Sequence, residues 1–163
     1  MKIRPETMAD AEPISALVEA AFATAEHSDG TEAMIVRRLR QARALAISLV
    51  AVDDEELVGH VALSPVTIDR GDLGWLGLGP VSVRPDWQAK GIGGGLIREA
   101  LNRARKLGAK GCVVLGEPDY YGRFGFVADT RLRYPGPPAE YFQSLPFGKG
   151  SPAGEVAYHK AFG

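Results

Sequence analysis

The sequence predicts a single domain of the α/β class (α+β type) over residues 1–163, built on a mixed central sheet with flanking helices. Three β-rich runs joined by short polar turns, at residues 46–52, 57–68 and 73–83, indicate an antiparallel meander. A helical run then separates the third strand from the short apolar run at residues 111–115. Such a strand, helix, strand order makes the two strands parallel neighbours.

Two helices are predicted before the meander. Asp10 is a candidate N-cap for a helix over residues 11–22, and Ser28-Asp29-Gly30 interrupts the pattern before a second helix begins at Thr31. The second helix carries four arginines, which a solvated helix face explains more simply than a binding patch does. These are Arg37, Arg38, Arg40 and Arg43.

The later part of the chain is predicted in less detail. Gly108 is placed to end the long helix. A short helix over residues 118–124, a strand starting at 126–128 and a last strand over 154–162 follow. The proline- and glycine-rich stretch 133–152 predicts an ordered loop.

The corner between the third strand and the long helix predicts an anion site. Val81-Ser82-Val83 closes the strand, and Gln88-Ala89-Lys90-Gly91-Ile92-Gly93-Gly94 leads into the helix. The first N–H groups of a helix have no partner within it and attract anions, and glycines allow close approach. The dinucleotide pattern GxGxxG fails, because Leu96 occupies its sixth position, and the ATP-type loop GxxxxGK[ST] is absent.

Two motifs in this order resemble the GNAT acyltransferase superfamily. Val83, Pro85, Gln88, Gly91 and Gly93 fit Val-x-Pro-x-x-Gln-x-x-Gly-x-Gly, the acetyl-CoA loop of that superfamily. Tyr121 with Gly125-Phe126 fits its Tyr-x-x-x-Gly-Phe motif, and the string from Leu115 to Phe126 is similar to the YhbS-like branch of N-acetyltransferases.

The resemblance implies how acetyl-CoA would bind. In this fold a V-shaped gap opens between the two central strands, here residues 76–83 and 111–115. Backbone groups of Val81 and Val83, which flank Ser82, would pair with the pantetheine arm. The N–H groups of the loop would hold the pyrophosphate, and Arg123 would reach the nucleotide phosphates, although it also fits an ordinary exposed arginine. The loop residues are Gln88, Ala89, Lys90, Gly91, Ile92, Gly93 and Gly94.

The residues around the gap suggest a partial catalytic set. Pro80 inside the strand predicts a bulge, which frees an N–H to stabilise charge on the thioester oxygen. Tyr121 is the candidate acid for the departing thiolate, the alternative being a tyrosine that only packs at a helix end.

The general base remains unassigned. Many relatives carry a glutamate on the strand before the loop, but Trp75, Leu76, Leu78 and Val81 offer no carboxylate. Three candidates lie elsewhere, each more typical of a surface residue. A route through ordered water, or an acceptor whose amine has a low pKa, needs none of them. They are Glu26, His27 and Glu117.

Composition excludes several classes of partner. A net charge of -1 with pI near 6.3 gives no reason to expect nucleic acid or an anionic membrane. No apolar run reaches the roughly 20 residues of a membrane helix, and the amino terminus does not read as a secretory signal. The single cysteine, Cys112, suits a reducing compartment, so we expect a cytoplasmic protein. His60 and His159 lack metal-ligand spacing, so no metal is expected.

Three functional hypotheses remain at this point. The first is an acetyl-CoA-dependent N-acetyltransferase acting on a primary amine of a small molecule or a peptide. The second is an acetyl-CoA-binding module without catalysis, suggested by the missing glutamate. The third is an unrelated α/β phosphate-binding or interaction domain. The sequence leaves the acceptor open, and it does not decide between a monomer and a homodimer.

Overall fold

A twisted six-stranded sheet with helices on both faces organises the protein, as seen in a computed structural model that describes residues 1–23, 25 and 28–163. The elements in chain order are β1 (Lys2–Pro5), α1 (Ala11–Phe22), α2 (Glu32–Gln41), β2 (Ile47–Asp53), β3 (Glu56–Pro65), β4 (Thr67–Ile68), β5 (Trp75–Val83), α3 (Ile92–Lys106), β6 (Gly111–Leu115), α4 (Pro118–Tyr121), β7 (Leu132–Arg133), β8 (Phe142–Pro146) and β9 (Gly154–Ala157).

The sheet combines an antiparallel meander with one parallel pair. Its strand order is β1-β2-β3-β5-β6-β8, and β5 with β6 is the parallel pair. The helix α3 connects these two strands, which confirms the mixed sheet and the crossover predicted from the sequence. Strands β4, β9 and β7 form a small second sheet.

The two faces of the large sheet bury different helices. Leu96, Ile97 and Ala100 of α3 pack on one face, within the largest apolar cluster. Helices α1 and α2 cover the other face through Ile14 and Val36. Alternate side chains of a strand point to opposite faces, so each strand contributes to both layers. In the described residues, no helix is long and apolar enough to cross a membrane.

Four local expectations are wrong. The strand predicted to start at 126–128 is absent, and that segment makes only an isolated bridge between Val127 and Ser144. Asp10 does not cap α1, because its carboxylate accepts hydrogen bonds from the Arg4 guanidinium at 2.7 Å and from the Thr7 N–H at 2.6 Å. The stretch 133–152 is not only a loop, since it contains β8, which pairs antiparallel with β6. The predicted last strand, 154–162, ends at Ala157 and lies in the small sheet.

The parallel ladder between β5 and β6 is short. It pairs Trp75 with Gly111, Leu76 with Cys112 and Gly77 with Val113, and then stops although β5 continues to Val83. On the other side of β5 the register with β3 shifts between Val61 and Leu63, opposite Gly79 and Pro80. The predicted bulge at Pro80 is therefore present, and the two central strands separate from that point.

A partly buried chain of polar side chains joins β2 and β3 to α2. The His60 Nε2 atom is 2.8 Å from the Ser48 hydroxyl oxygen, and that hydroxyl donates to the Glu6 carboxylate. Arg40 completes the chain with two hydrogen bonds to Glu6, at 2.9 and 3.0 Å. Because Ser48 donates its hydroxyl proton to Glu6, the Nε2 atom of His60 is the donor to Ser48. Burial lowers the pKa of His60 to about 4; the Glu6 charge opposes that shift and the Arg40 charge adds to it.

The first prediction concerns acid stability. Below pH 6.5 the unfolded chain protonates His60, whereas the folded protein does not do so until about pH 4. The free energy of unfolding should therefore fall as the pH falls through this window, by up to about 3 kcal/mol. The free energy of unfolding of H60Q, measured in urea, should no longer fall with pH in this window, whereas that of H159Q should fall as in the wild type. A wild-type slope that survives in H60Q would contradict the assignment.

Candidate active site

The end of β5 directs two residues toward the gap left by β6. The Arg84 N–H donates to the Val58 oxygen of β3 at 2.9 Å. Main-chain groups of successive strand residues alternate in direction, so Ser82 also faces β3 while Val81 and Val83 face away from it. The Gln88 side chain lies on that far side, where its amide donates to the Val83 oxygen at 3.0 Å. The Val81 and Val83 N–H groups therefore point to the side where β6 has left the ladder.

The loop after β5 presents a row of free amides. Among the described residues, none of the backbone N–H groups from Gln88 to Gly94 has a hydrogen-bond partner, and the first N–H bonded within α3 is that of Gly95, to the Gly91 oxygen at 3.1 Å. Ala89 and Gly91 are left-handed, with φ of 63° and 83°. Such alternation of the backbone curls consecutive N–H groups around a concave anion site.

A cavity of about 360 Å³, here called the loop cavity, lies between this loop and the turn after α4. In the part of the chain that the structure describes, two arginines and no carboxylate line it. The Arg98 guanidinium lies 5.0 Å from the Phe124 ring centre, and that of Arg123 lies 5.4 Å from the Tyr120 ring centre. The lining residues are Val83, Trp87, Gln88, Ala89, Gly91, Ile92, Gly93, Gly94, Arg98, Tyr120, Arg123 and Phe124. Its electrostatics favour an anionic ligand.

The glycines of the loop keep this cavity open. A Cβ on Gly93 would lie 3.3 Å from the Tyr120 hydroxyl, and one on Gly94 would lie 3.2 Å from an Arg98 guanidinium nitrogen. Side chains at these positions would crowd the two walls of the loop cavity. The glycine cluster is therefore needed to leave space in the loop cavity, and not only to begin α3.

Tyr121 lies beside the gap in an aromatic cluster. Its ring packs on Gly116 so closely that a Cβ there would collide with it. It meets the Tyr120 and Phe126 rings edge to face, at 5.0 and 6.0 Å between ring centres. Burial, and to a lesser extent Tyr120, raise the pKa of Tyr121 to about 12, so the phenol is protonated at neutral pH. Gly125 supplies the left-handed turn, with φ of 98°, that brings the buried Phe126 to this ring.

A second cavity of about 360 Å³, here called the split cavity, lies where β5 and β6 part. Tyr121 and the bulge on β5 form one side of it, and α1, α2 and the C-terminal residues form the other. Its lining residues are Phe22, Glu32, Ile35, Leu78, Gly79, Pro80, Val81, Leu115, Tyr121, Tyr134, Tyr158 and Phe162.

The predicted site residues divide between the two cavities. Val81 and Tyr121 line the split cavity, whereas the Ser82 side chain is buried on the face that carries its strand partner His60. Lys90 lies outside both cavities, with its ammonium 5.0 Å from the Trp87 ring centre. The other predicted residues line the loop cavity: Val83, Gln88, Ala89, Gly91, Ile92, Gly93, Gly94 and Arg123.

The one candidate base within the described residues does not line the cavities, whereas two residues that were not predicted do. Glu117 lines neither cavity, and Glu26 and His27 lie outside the described residues. Arg98 and Glu32 line the two cavities but were not predicted as site residues. Helical spacing from Gly94 would have placed Arg98 on the same face of α3. In the described ranges, no group of three or more His, Cys, Asp and Glu side chains is arranged to hold a metal ion.

Comparison with known proteins identifies the family. Residues 14–126, more than half of the chain, match the acetyltransferase (GNAT) family. The chain belongs to the GNAT family. The resemblance inferred from the two motifs is thereby confirmed, and the family makes this protein an acetyltransferase.

Similar GNAT proteins of known sequence or structure cover nearly the whole chain. YhbS of Escherichia coli K12, called an uncharacterized N-acetyltransferase, is 39% identical over 141 residues, which span 83% of this chain and 81% of YhbS. A GNAT family acetyltransferase from Brucella melitensis, solved in complex with acetyl-CoA, is 49% identical, with a TM-score of 0.90 and coverage of 99% and 97%. E. coli YhbS in complex with CoA is 34% identical, with a TM-score of 0.91 and coverage of 99% and 91%. The GNAT fold predicted from the sequence is therefore confirmed.

Proposed function

We propose that this GNAT protein transfers the acetyl group of acetyl-CoA to a primary amine by direct attack within a ternary complex. The observation that carries the proposal is the early end of the β5–β6 ladder, which leaves the Val81 and Val83 N–H groups facing a gap between two cavities. One cavity is suited to phosphates, and the other is lined by Tyr121. The crystal structures of relatives with acetyl-CoA and CoA support the same ligand here.

Each part of acetyl-CoA has a matching surface in this proposal. The pantetheine arm would run along β5 and pair with Val81 and Val83 as a strand would. The pyrophosphate would accept hydrogen bonds from the N–H groups between Gln88 and Gly94, at the positive end of α3. Arg98 and Arg123 would neutralise the nucleotide phosphates from the walls of the loop cavity. The Gln88 side chain holds the loop against the strand end.

The thioester would then lie at the bulge, beside the split cavity. A neutral amine nitrogen forms a bond to the thioester carbon, while a main-chain N–H of β5 stabilises the negative charge on its oxygen. The C–S bond breaks, and its electron pair leaves on sulfur. Tyr121 gives its proton to that sulfur, and the tyrosinate recovers a proton from the nitrogen that becomes the amide.

Tyr121 acts by position rather than by acidity in this scheme. A thiol near pKa 8.5 is a stronger acid than a phenol whose pKa is about 12. The phenol thus donates only while a hydrogen bond fixes it against the developing thiolate. Its high pKa also keeps it protonated over the whole range in which the enzyme would work.

The split cavity favours catalysis over simple binding of acetyl-CoA. A binding module needs no space beyond the thioester, yet Tyr121 and the β5 bulge line a cavity of about 360 Å³. The cytoplasm is the compartment we propose, because the only cysteine, Cys112, is buried and free, as suits reducing conditions.

The second prediction tests Tyr121. Y121F should lower kcat for a panel of primary amines by roughly 100-fold or more, since the phenol is the proposed acid. CoA release is measured as free thiol, and Y141F is the control because Tyr141 lines neither cavity. Wild-type kcat should show no alkaline loss from Tyr121 below about pH 10. A Y121F enzyme with the wild-type kcat would refute the role.

The third prediction tests the loop at the start of α3. Gly91 and Gly108 flank the two ends of this helix, both with left-handed φ, and a Cβ on either meets nothing within 4 Å. G91A and G108A should therefore destabilise the protein alike, by about 1–2 kcal/mol. G91A alone should also lose the thermal stabilisation by acetyl-CoA, because alanine disfavours the left-handed conformation and shifts the N–H groups of the loop. Equal stabilisation of both variants would argue against pyrophosphate binding at this loop.

A further inference from the structure

Among the described residues, the split cavity combines aromatic walls with a single charged group. Of its twelve lining residues, five are aromatic and only Glu32 is charged. The aromatic residues come from separate parts of the chain, namely Phe22, Tyr121, Tyr134, Tyr158 and Phe162. A carboxylate within aromatic walls attracts an organic cation, both by charge and through the negative faces of the rings.

Glu32 is held in a fixed position. It is the first residue of α2, and its Oε1 atom accepts a hydrogen bond from the Ser28 hydroxyl at 2.7 Å. The positive end of the helix dipole favours a negative charge there. Among the described residues, its second carboxylate oxygen has no hydrogen-bond partner and is left for a ligand.

Tyr158 contributes a rigid aromatic wall to the split cavity. Its ring packs on Gly77, the last residue of β5 in the parallel ladder, where a Cβ would lie 2.6 Å from the ring. The Tyr134 ring meets it edge to face, at 5.2 Å between ring centres. Two aromatic rings held in this way form a fixed surface for the apolar body of a ligand.

We propose that the split cavity binds a small primary amine carried on an apolar or aromatic body, and that Glu32 both binds its ammonium and takes its proton. This inference rests on the proposed acetyl transfer. Glu32 accepts one proton from the ammonium, and the freed nitrogen lone pair attacks the thioester as described above. The proton on Glu32 then passes to water, so one acetyl transfer releases one proton. Glu32 is thus the base that β5 lacks.

The size and charge of the cavity narrow the acceptor further. Its volume of about 360 Å³ lies at the lower end of the range for small-molecule sites, roughly 300–1,000 Å³, which favours a small molecule over a folded protein. An acceptor with its own carboxylate would be repelled by Glu32. A second ammonium would find no second carboxylate among the described lining residues.

Four probe amines test this inference. Wild-type kcat/KM at pH 7 should be at least about 10-fold higher for phenethylamine and n-hexylamine than for L-phenylalanine and putrescine. E32Q should lower kcat/KM for phenethylamine by roughly 100-fold, and the deficit should shrink as the pH rises toward 10, where the amine is neutral without a base. E12Q is the matched control, because Glu12 is an exposed acid in the first turn of α1.

Thermal stabilisation by CoA, measured in parallel, separates the two proposals. Unchanged stabilisation of E32Q together with the pH-dependent loss of rate supports the role of Glu32. If CoA stabilises the protein, the inference is overturned by an E32Q enzyme as fast as wild type, by a preference for L-phenylalanine or putrescine, or by no acetylation of any probe. If CoA neither stabilises the protein nor is released with any amine, the proposed function fails as well.

Discussion

The site depends on one constraint, namely that the parallel ladder between β5 and β6 ends after three residue pairs. Beyond Gly77 and Val113 the facing main-chain groups of the two strands no longer form hydrogen bonds with each other. Pro80 has no N–H to donate to a ladder. The register shift between β5 and β3 at this position marks the bulge that turns β5 away from β6. Unpaired strand groups inside a protein need a partner. A ligand with amide groups of its own can supply it.

The aromatic cluster after β6 links the two ends of this gap. Tyr120 lines the loop cavity, and its ring meets that of Tyr121, which lines the split cavity. Small residues make room for both rings, since Gly93 lies below the Tyr120 hydroxyl and Gly116 lies against Tyr121. The glycines of the motifs therefore set the distance between the phosphate end and the reacting end of the site, in addition to shaping the loop.

Much of this arrangement could be predicted from sequence, because the local residue pattern and the motif spacing indicate the same helices and strands. Helix α1 and strand β6 have the bounds that were expected, and Gly108 ends α3 in a left-handed conformation. Strand β8 was missed because its Phe142–Pro146 segment becomes a strand only through pairing with β6, in a stretch whose proline and glycine content favours loops.

Other failures share a tertiary cause. Asp10 is of a residue type that caps helices, but Arg4 on β1, six residues earlier, binds its carboxylate. Glu32 reads as an ordinary acid in a first helical turn, and only the packing of α2 over the bulge brings it into the split cavity. Arg98 is exposed on α3, and only the packing of the turn after α4 brings the Phe124 ring against its guanidinium and makes it part of the loop cavity. The spacing of residues along the chain does not predict these contacts.

The most direct test of the account is residue-resolved amide hydrogen exchange with and without CoA. We expect CoA to slow exchange at Val81, at Val83 and across residues 88–94. Ser82 should be protected already in the free protein, because its main chain faces β3. CoA binding without added protection of these amides, or with equal changes at Ser82 and its two neighbours, would contradict the claim that the parted strands hold the ligand through their main chain.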